Sequence, residues 1–188
     1  MIKQPTLETE RLILRPFAPK DASDLARLAG SREIADTTIS VPHPYSEQQA
    51  RQWIAGNVDL CAKGKVVVFG VQLKSDAKLV GSIGLRDIEV EHARAELGFW
   101  IAVEYWGKGY ATEAGRAVLA FGFEQLPLNC IYAHHMVRNP ASGHVLARIG
   151  MQREGLLRQM VRKWGRFEDV VPLSILREDW MRSRLELL

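Results

Sequence analysis

The run Phe99-Trp100-Ile101-Ala102-Val103-Glu104-Tyr105-Trp106-Gly107-Lys108-Gly109-Tyr110-Ala111-Thr112-Glu113-Ala114 decides the fold. Within it a strand passes into a glycine-rich loop, and the loop opens a helix. Backbone N–H groups at a helix start have no intrahelical partner, and the helix dipole adds partial positive charge there. Gly107 and Gly109 carry no Cβ to keep phosphate oxygens off the main chain, and Lys108 adds a point charge. The segment Trp106–Thr112 is therefore a candidate anion cradle. A plain strand-to-helix turn is the competing reading, since glycine-rich turns are common. A dinucleotide fingerprint needs a third glycine where Thr112 stands and a parallel βαβ unit, and the sequence predicts neither. A Walker A loop needs Ser or Thr directly after its Lys, but Gly109 follows Lys108.

Just upstream, residues 94–101 alternate as a strand does. Leu97, Phe99 and Ile101 share one face and pack under a helix, while Glu96, Gly98 and Trp100 share the other. Strands are also predicted over 66–73 and 79–88, and an edge strand over 10–17 that alternates Leu12 and Leu14 with polar neighbours and stops at Pro16. Helices are predicted over 21–29, over 46–62 from the capping box Ser46/Gln49 with Trp53 on its apolar face, and over 111–125. Beyond these come a strand over 130–137, a helix from Asn139-Pro140 to Ile149-Gly150, strands over 152–161 and 167–175 around the Trp164-Gly165 turn, and a short helix after Arg177. Helices interspersed through mostly antiparallel strands give a single α/β (α+β) domain.

The chain's 188 residues are 47% hydrophobic and 25% charged, which suits one globular domain. The start Met1-Ile2-Lys3-Gln4-Pro5 lacks a leader's apolar stretch, and no apolar run approaches a membrane span. Cys61 and Cys130 form neither a metal spacing nor a disulfide framework, so a reducing cytoplasm and no membrane partner are expected. A net charge of +3 with Arg and Glu interleaved argues against a nucleic-acid partner. The locally basic run 158–166 reads as a solvated strand and turn. His134 and His135 point to opposite faces of one strand, and His43, His92 and His144 fall at no ligand spacing, so no metal is expected.

The run Trp106 to Ala111 resembles the x-x-x-Gly-x-Gly/Ala pyrophosphate loop of the GNAT N-acyltransferases, with Trp106 where the family usually has Gln or Arg. The block Trp-Gly-Lys-Gly-Tyr-Ala-Thr-Glu-Ala is similar to the RimJ/RimL-like branch. The likeness extends through Leu7–Pro16, Val80–Leu85, Ala95–Ile101, Asn139-Pro140-Ala141-Ser142, Ile149-Gly150-Met151, Glu154-Gly155, Asp169 and Asp179-Trp180. It implies one domain over residues 1–188, a mixed sheet of about seven strands splayed between strands 4 and 5 and flanked by helices, and acetyl-CoA as acyl donor. The pantetheine arm then bonds the main chain of Phe99, Trp100 and Ile101. The pyrophosphate rests on Trp106, Gly107, Lys108, Gly109, Tyr110, Ala111 and Thr112.

The same resemblance places a general base or water-holding carboxylate at Glu96, for which an ion pair with Arg94 or Arg86 is the structural alternative. It makes Asn139 a bond to the cofactor arm and Ser142 the proton donor to the leaving thiolate; Leu146 stands where other branches carry a tyrosine. Asn139 and Pro140 also form an N-cap and first-turn pair in their own right. The implied reaction is direct attack of a primary amine, a peptide N-terminus or a small molecule, on the acetyl group. An α-amine needs only about 1 kcal/mol to be neutral at pH 7 and a lysine about 4–5, so one carboxylate acting through water suits the former better. Family members are often homodimers. A non-catalytic acyl-CoA-binding regulator and an interaction module of the same fold are the alternatives.

Overall fold

Leu12 and Leu14 lie on one side of β2 (Leu12–Pro16) and are fully buried. The computed structural model describes residues 4–185, so Met1-Ile2-Lys3 of the start read above lies outside them. β1 (Leu7–Glu8) pairs with β2 on its outer side, which sets β2 one place in from the edge instead of on it. After α1 (Ala22–Ala29), α2 (Arg32–Thr37) and α3 (Glu47–Ala62) come β3 (Val67–Leu73), β4 (Leu79–Glu89) and β5 (Arg94–Ile101). Then follow α4 (Tyr110–Gln125), β6 (Cys130–Met136), α5 (Pro140–Arg148), β7 (Gln152–Arg153), β8 (Leu157–Lys163), β9 (Arg166–Leu176) and α6 (Arg177–Leu185).

Among the described residues the strands form one 9-stranded sheet in the order β1-β2-β3-β4-β5-β6-β9-β7, with β8 paired to β9 alone. The two beyond the expected seven include the two-residue β1, and the predicted strand over 152–161 divides into β7 and β8. A bulge contributes to that tail: Gln159 takes φ +51° and its N–H turns to Asp169 Oδ1 at 2.8 Å. The pairing is antiparallel except for β5 and β6, which run parallel with α4 as their crossover. A βαβ unit is thus present, contrary to the sequence expectation, because the 16-residue α4 is long enough to carry the chain back across the sheet.

Alternation on β5 places its two faces as expected. Leu97 and Ile101, with Phe99 beside them, join the core under α4, where Ala114, Val118 and Phe121 meet Phe69, Leu85 and Ile131. Trp100 packs on the opposite face against Ala22, Leu25 and Ala26 of α1 and Ala50 and Ile54 of α3. Both sheet faces are covered at the centre, which is why β4 is buried from Leu79 through Leu85 without alternating.

α3 begins with the predicted capping box: Ser46 accepts from Gln49 N–H, and the Gln49 side chain reaches back to Ser46 N–H at 2.8 Å. Trp53 stands against the edge of Phe17, ring centroids 5.4 Å apart, at the rim of the apolar face. Only Ala50, Ile54 and Cys61 of this helix are buried, so its start relies on the cap. Ser46→Ala is expected to cost ~1 kcal/mol in urea denaturation. An unchanged midpoint would show that packing alone holds α3.

Candidate active site

β5 and β6 pair only over Arg94–Glu96 with Cys130–Tyr132, and beyond that they part. Because the short β1 precedes it, the split falls between the fifth and sixth strands of this chain. Each strand runs from the split into a helix, β5 to α4 and β6 to α5, so two helix N-termini flank one opening at the carboxyl ends of diverging parallel strands. That is where open α/β sheets bind ligands.

Parity shows what β5 offers there. Ala102 N–H bonds Val80 O at 2.8 Å, on the β4 side. N–H groups alternate along a strand, so those of Ile101 and Phe99 point into the split. The Ile101 carbonyl on that edge is taken by the Trp106 indole N–H at 2.6 Å. The Trp106 side chain thus ties the loop to the strand.

After the turn Val103–Tyr105, the loop residues Gly107 and Gly109 take φ +74° and +82°. That left-handed geometry suits glycine and swings the chain into α4. Glu113 N–H closes the first helical turn on Gly109 O at 3.0 Å. The six successive N–H groups from Gly107 through Lys108, Gly109, Tyr110 and Ala111 to Thr112 have no acceptor among the described residues. A diphosphate fits this cradle: its oxygens accept hydrogen bonds and its charge meets the positive helix end. The Lys108 ammonium sits over the Tyr105 ring, 5.0 Å from the centroid.

Sequence reasoning overlooked the staple behind the loop. Glu113 accepts from Thr9 Oγ1 at 2.6 Å, from Arg11 N–H at 2.8 Å and from Arg11 Nε at 2.7 Å, while Arg11 also bonds Lys108 O at 3.0 Å. Burial alone would raise the Glu113 carboxyl, but these bonds outweigh it and hold the group below its ordinary value. The Arg11 guanidinium also covers Tyr110, 4.8 Å from the ring centre. Beside this staple a cleft of about 600 Å³, with Thr112, Arg116 and Arg148 among its walls, runs along the start of α4. Arg11 and Glu113 lie 102 positions apart, and only the pattern of an acid in the first helical turn hinted at a partner.

On the opposite face Glu96 is buried. Arg86 Nη2 bonds its Oε1 at 2.8 Å and Arg86 Nε its Oε2 at 3.2 Å, while His134 Nδ1 lies 3.3 Å from Oε1. Of the two ion-pair partners considered, the structure selects Arg86; Arg94 pairs with Glu89. Burial pushes the Glu96 carboxyl up, but His134 and Arg86 overcome this and hold it below the usual carboxylate range. The Arg86 guanidinium lies over Gly98, where an added Cβ would meet its Nε at an ordinary van der Waals distance of 3.7 Å.

Asn139 caps α5, its Oδ1 accepting from Ser142 N–H at 3.3 Å. The Ser142 hydroxyl takes no partner among the described residues and is half-buried at the start of α5. The structure thus gathers Phe99, Ile101, the loop, Asn139 and Ser142 around one opening, with Glu96 on the sheet face away from α4 and Trp100 packed under α1 and α3. The sequence alone presents His134 only as a metal-ligand candidate without a ligand spacing. The alternation that separates it from His135 also puts it on the face of Tyr132, which pairs with Glu96.

Residues 11–152 match the family described as Acetyltransferase (GNAT) domain. The chain is 34% identical over 176 residues to "Uncharacterized N-acetyltransferase p20" of Bacillus licheniformis, covering 93% of this chain and 98% of that protein. It is 31% identical over 175 residues to "Putative ribosomal N-acetyltransferase YdaF" of Bacillus subtilis, covering 91% and 94%. It superposes with a TM-score of 0.80 on the crystal structure of spermidine N-acetyltransferase from Vibrio cholerae in complex with CoA and spermine, at 27% identity and covering 92% and 99% of the two chains.

Proposed function

Because the chain belongs to the GNAT acetyltransferase family, we propose that it moves the acetyl group of acetyl-CoA onto a primary amine, a peptide N-terminus first and a small-molecule amine second. It does so as a single domain in the cytoplasm. The observation that carries this reading is the row of open N–H groups from Gly107 to Thr112 beside the open edge of β5.

Acetyl-CoA supplies an activated acetyl group, and the residues divide the rest of the work. The loop Trp106–Thr112 holds the pyrophosphate, and Arg116 and Arg148 add positive charge along the neighbouring cleft. The main chain of Phe99–Ile101 and the Asn139 side chain align the pantetheine arm. The N–H of Phe99 or Ile101 polarises the carbonyl oxygen. Ser142 donates a proton to the sulfur as the thiol leaves. Glu96 serves the acceptor side, the face its carboxylate shares with Trp100 and Gly98.

Two probes separate the acceptor classes: a tetrapeptide with a free N-terminal alanine, and spermidine. Incubation with acetyl-CoA should release free thiol, faster with the peptide. Faster release with spermidine would shift the assignment to small amines. A calorimetric titration showing no coenzyme A binding would overturn the function itself.

A further inference from the structure

The wall of the split on the Glu96 side carries an imidazole to which acetyl transfer, as described, gives no part. Tyr132 is the last β6 residue paired with β5, and His134 follows two positions later on the same face, where the strands have parted. Its ring meets the Tyr132 ring edge-on, centroids 5.5 Å apart, and its side chain is 25% exposed.

The bonding around Glu96 selects the tautomer of this ring. Arg86 engages both Glu96 oxygens, and His134 Nδ1 approaches Oε1 at 3.3 Å. An ionised carboxylate only accepts hydrogen bonds, so Nδ1 carries a proton, and the neutral form of the ring presents its lone pair at Nε2. Nε2 has no partner among the described residues. The neighbouring His135 shows the contrast: its Nδ1 faces Met136 O at 2.9 Å, and its Nε2 lies 2.6 Å from where a Cβ on Gly143 would stand, closed off beneath α5. Glu96 itself is a poor base, with both oxygens already held by donors.

We propose that His134 is the base that takes the proton from the acceptor amine, with Glu96 as the positioning residue that fixes its tautomer and Arg86 as the anchor of Glu96. The proposal rests on the acetyl-transfer reading above and names the proton acceptor of that reaction. The amine arrives as an ammonium ion, and one N–H proton passes to His134 Nε2. The freed lone pair forms the N–C bond to the acetyl carbon as the C–S bond breaks. The surplus proton on the new amide nitrogen goes to the sulfur, with the Ser142 hydroxyl passing on one proton and receiving another. The proton on His134 is then released to solvent. The imidazolium formed on the way faces the Glu96 carboxylate, which stabilises it as the carboxylate of a catalytic triad does.

The test measures turnover with the alanine tetrapeptide or spermidine, whichever the wild-type protein acetylates faster. His134→Ala and His134→Gln are expected to lower turnover at saturating substrate about 10²–10³-fold, with coenzyme A affinity within about threefold. Added imidazole should restore part of the activity of His134→Ala. Glu96→Gln should slow the wild type yet cost little more on top of His134→Ala, because residues acting as one unit are not additive. Turnover of His134→Ala within about twofold of wild type overturns the proposal, as does a Glu96→Gln loss of equal size in both backgrounds. Loss of coenzyme A binding in both His134 variants would make the residue structural and overturn it too. A wild-type protein that binds coenzyme A but acetylates neither probe removes the acetyl-transfer reading along with the base, whereas the preceding outcomes remove the base alone.

Discussion

Gly109→Val is expected to weaken coenzyme A binding at least ~100-fold while leaving the protein folded. Gly109 is the N-cap of α4, at φ +82° and ψ 0°. A β-branched residue is an outlier there, and holding one in place costs about 1–3 kcal/mol. Crowding is not the cause, because an added Cβ would meet only Arg11 Nη2, at 3.4 Å. The strain is relieved if the loop leaves the left-handed region, and that turns the N–H groups of Tyr110, Ala111 and Thr112 away from their common focus. Hydrogen bonds to a charged group contribute about 1.5–3 kcal/mol each. Losing two therefore removes about 3–6 kcal/mol, or 10²–10⁴ in affinity. The body of α4 stays in place, since Ala114, Val118, Leu119 and Phe121 are buried in the main core. Calorimetry against circular dichroism separates the two effects. A folded Gly109→Val protein that binds coenzyme A within about threefold of wild type would show that the loop is only a turn.

The same loop shows how far the sequence could be read. Its glycines, the alternation of β5 and the Ser46/Gln49 cap are local features, and each forms as its residues predict. Local signals ran out in two kinds of place. One is the short or irregular element. The six-residue α2 is too brief to display a helical period, although its N-cap Ser31 accepts from Ile34 N–H. The bulge at Gln159 depends on a carboxylate ten positions away. The other is pairing set by tertiary packing. Arg11 with Glu113, Arg138 with Asp36, and His134 with Glu96 are 102, 102 and 38 positions apart. No spacing rule brings them together. The parallel register of β5 and β6 was hidden for the same reason, and with it the proximity of His134 to Glu96. The residues around the glycine loop were legible because backbone geometry defines them. Those around Glu96 were less so, because side chains from separate strands define them.

Arg86→Met is expected to cost ~2–3 kcal/mol at neutral pH, the larger of the two stability losses predicted for this protein. Removing one member of a buried pair costs about 3–5 kcal/mol, because the other charge is left without its partner. Arg86 is 38% exposed at its side chain and Glu96 only 11%, so water screens part of the loss and the lower figure applies. The sign with pH follows from the carboxyl. In the wild type Glu96 is held below its ordinary value, so its stabilisation is present above the unfolded carboxylate range and is lost as pH falls through the folded value. Without Arg86, His134 alone opposes the burial that pushes the Glu96 carboxyl upward, and the less well compensated charge destabilises the fold at neutral pH. The difference between variant and wild type should therefore be largest near pH 7 and shrink as pH falls into the carboxylate range, about 4. Urea denaturation at the two pH values measures it. Adding Glu96→Gln to Arg86→Met should recover much of the loss, because it removes the stranded charge that Arg86→Met leaves behind. A loss that stays the same at both pH values, or a double variant no better than Arg86→Met, would mean that Arg86 stabilises the sheet by packing and not by holding Glu96 ionised.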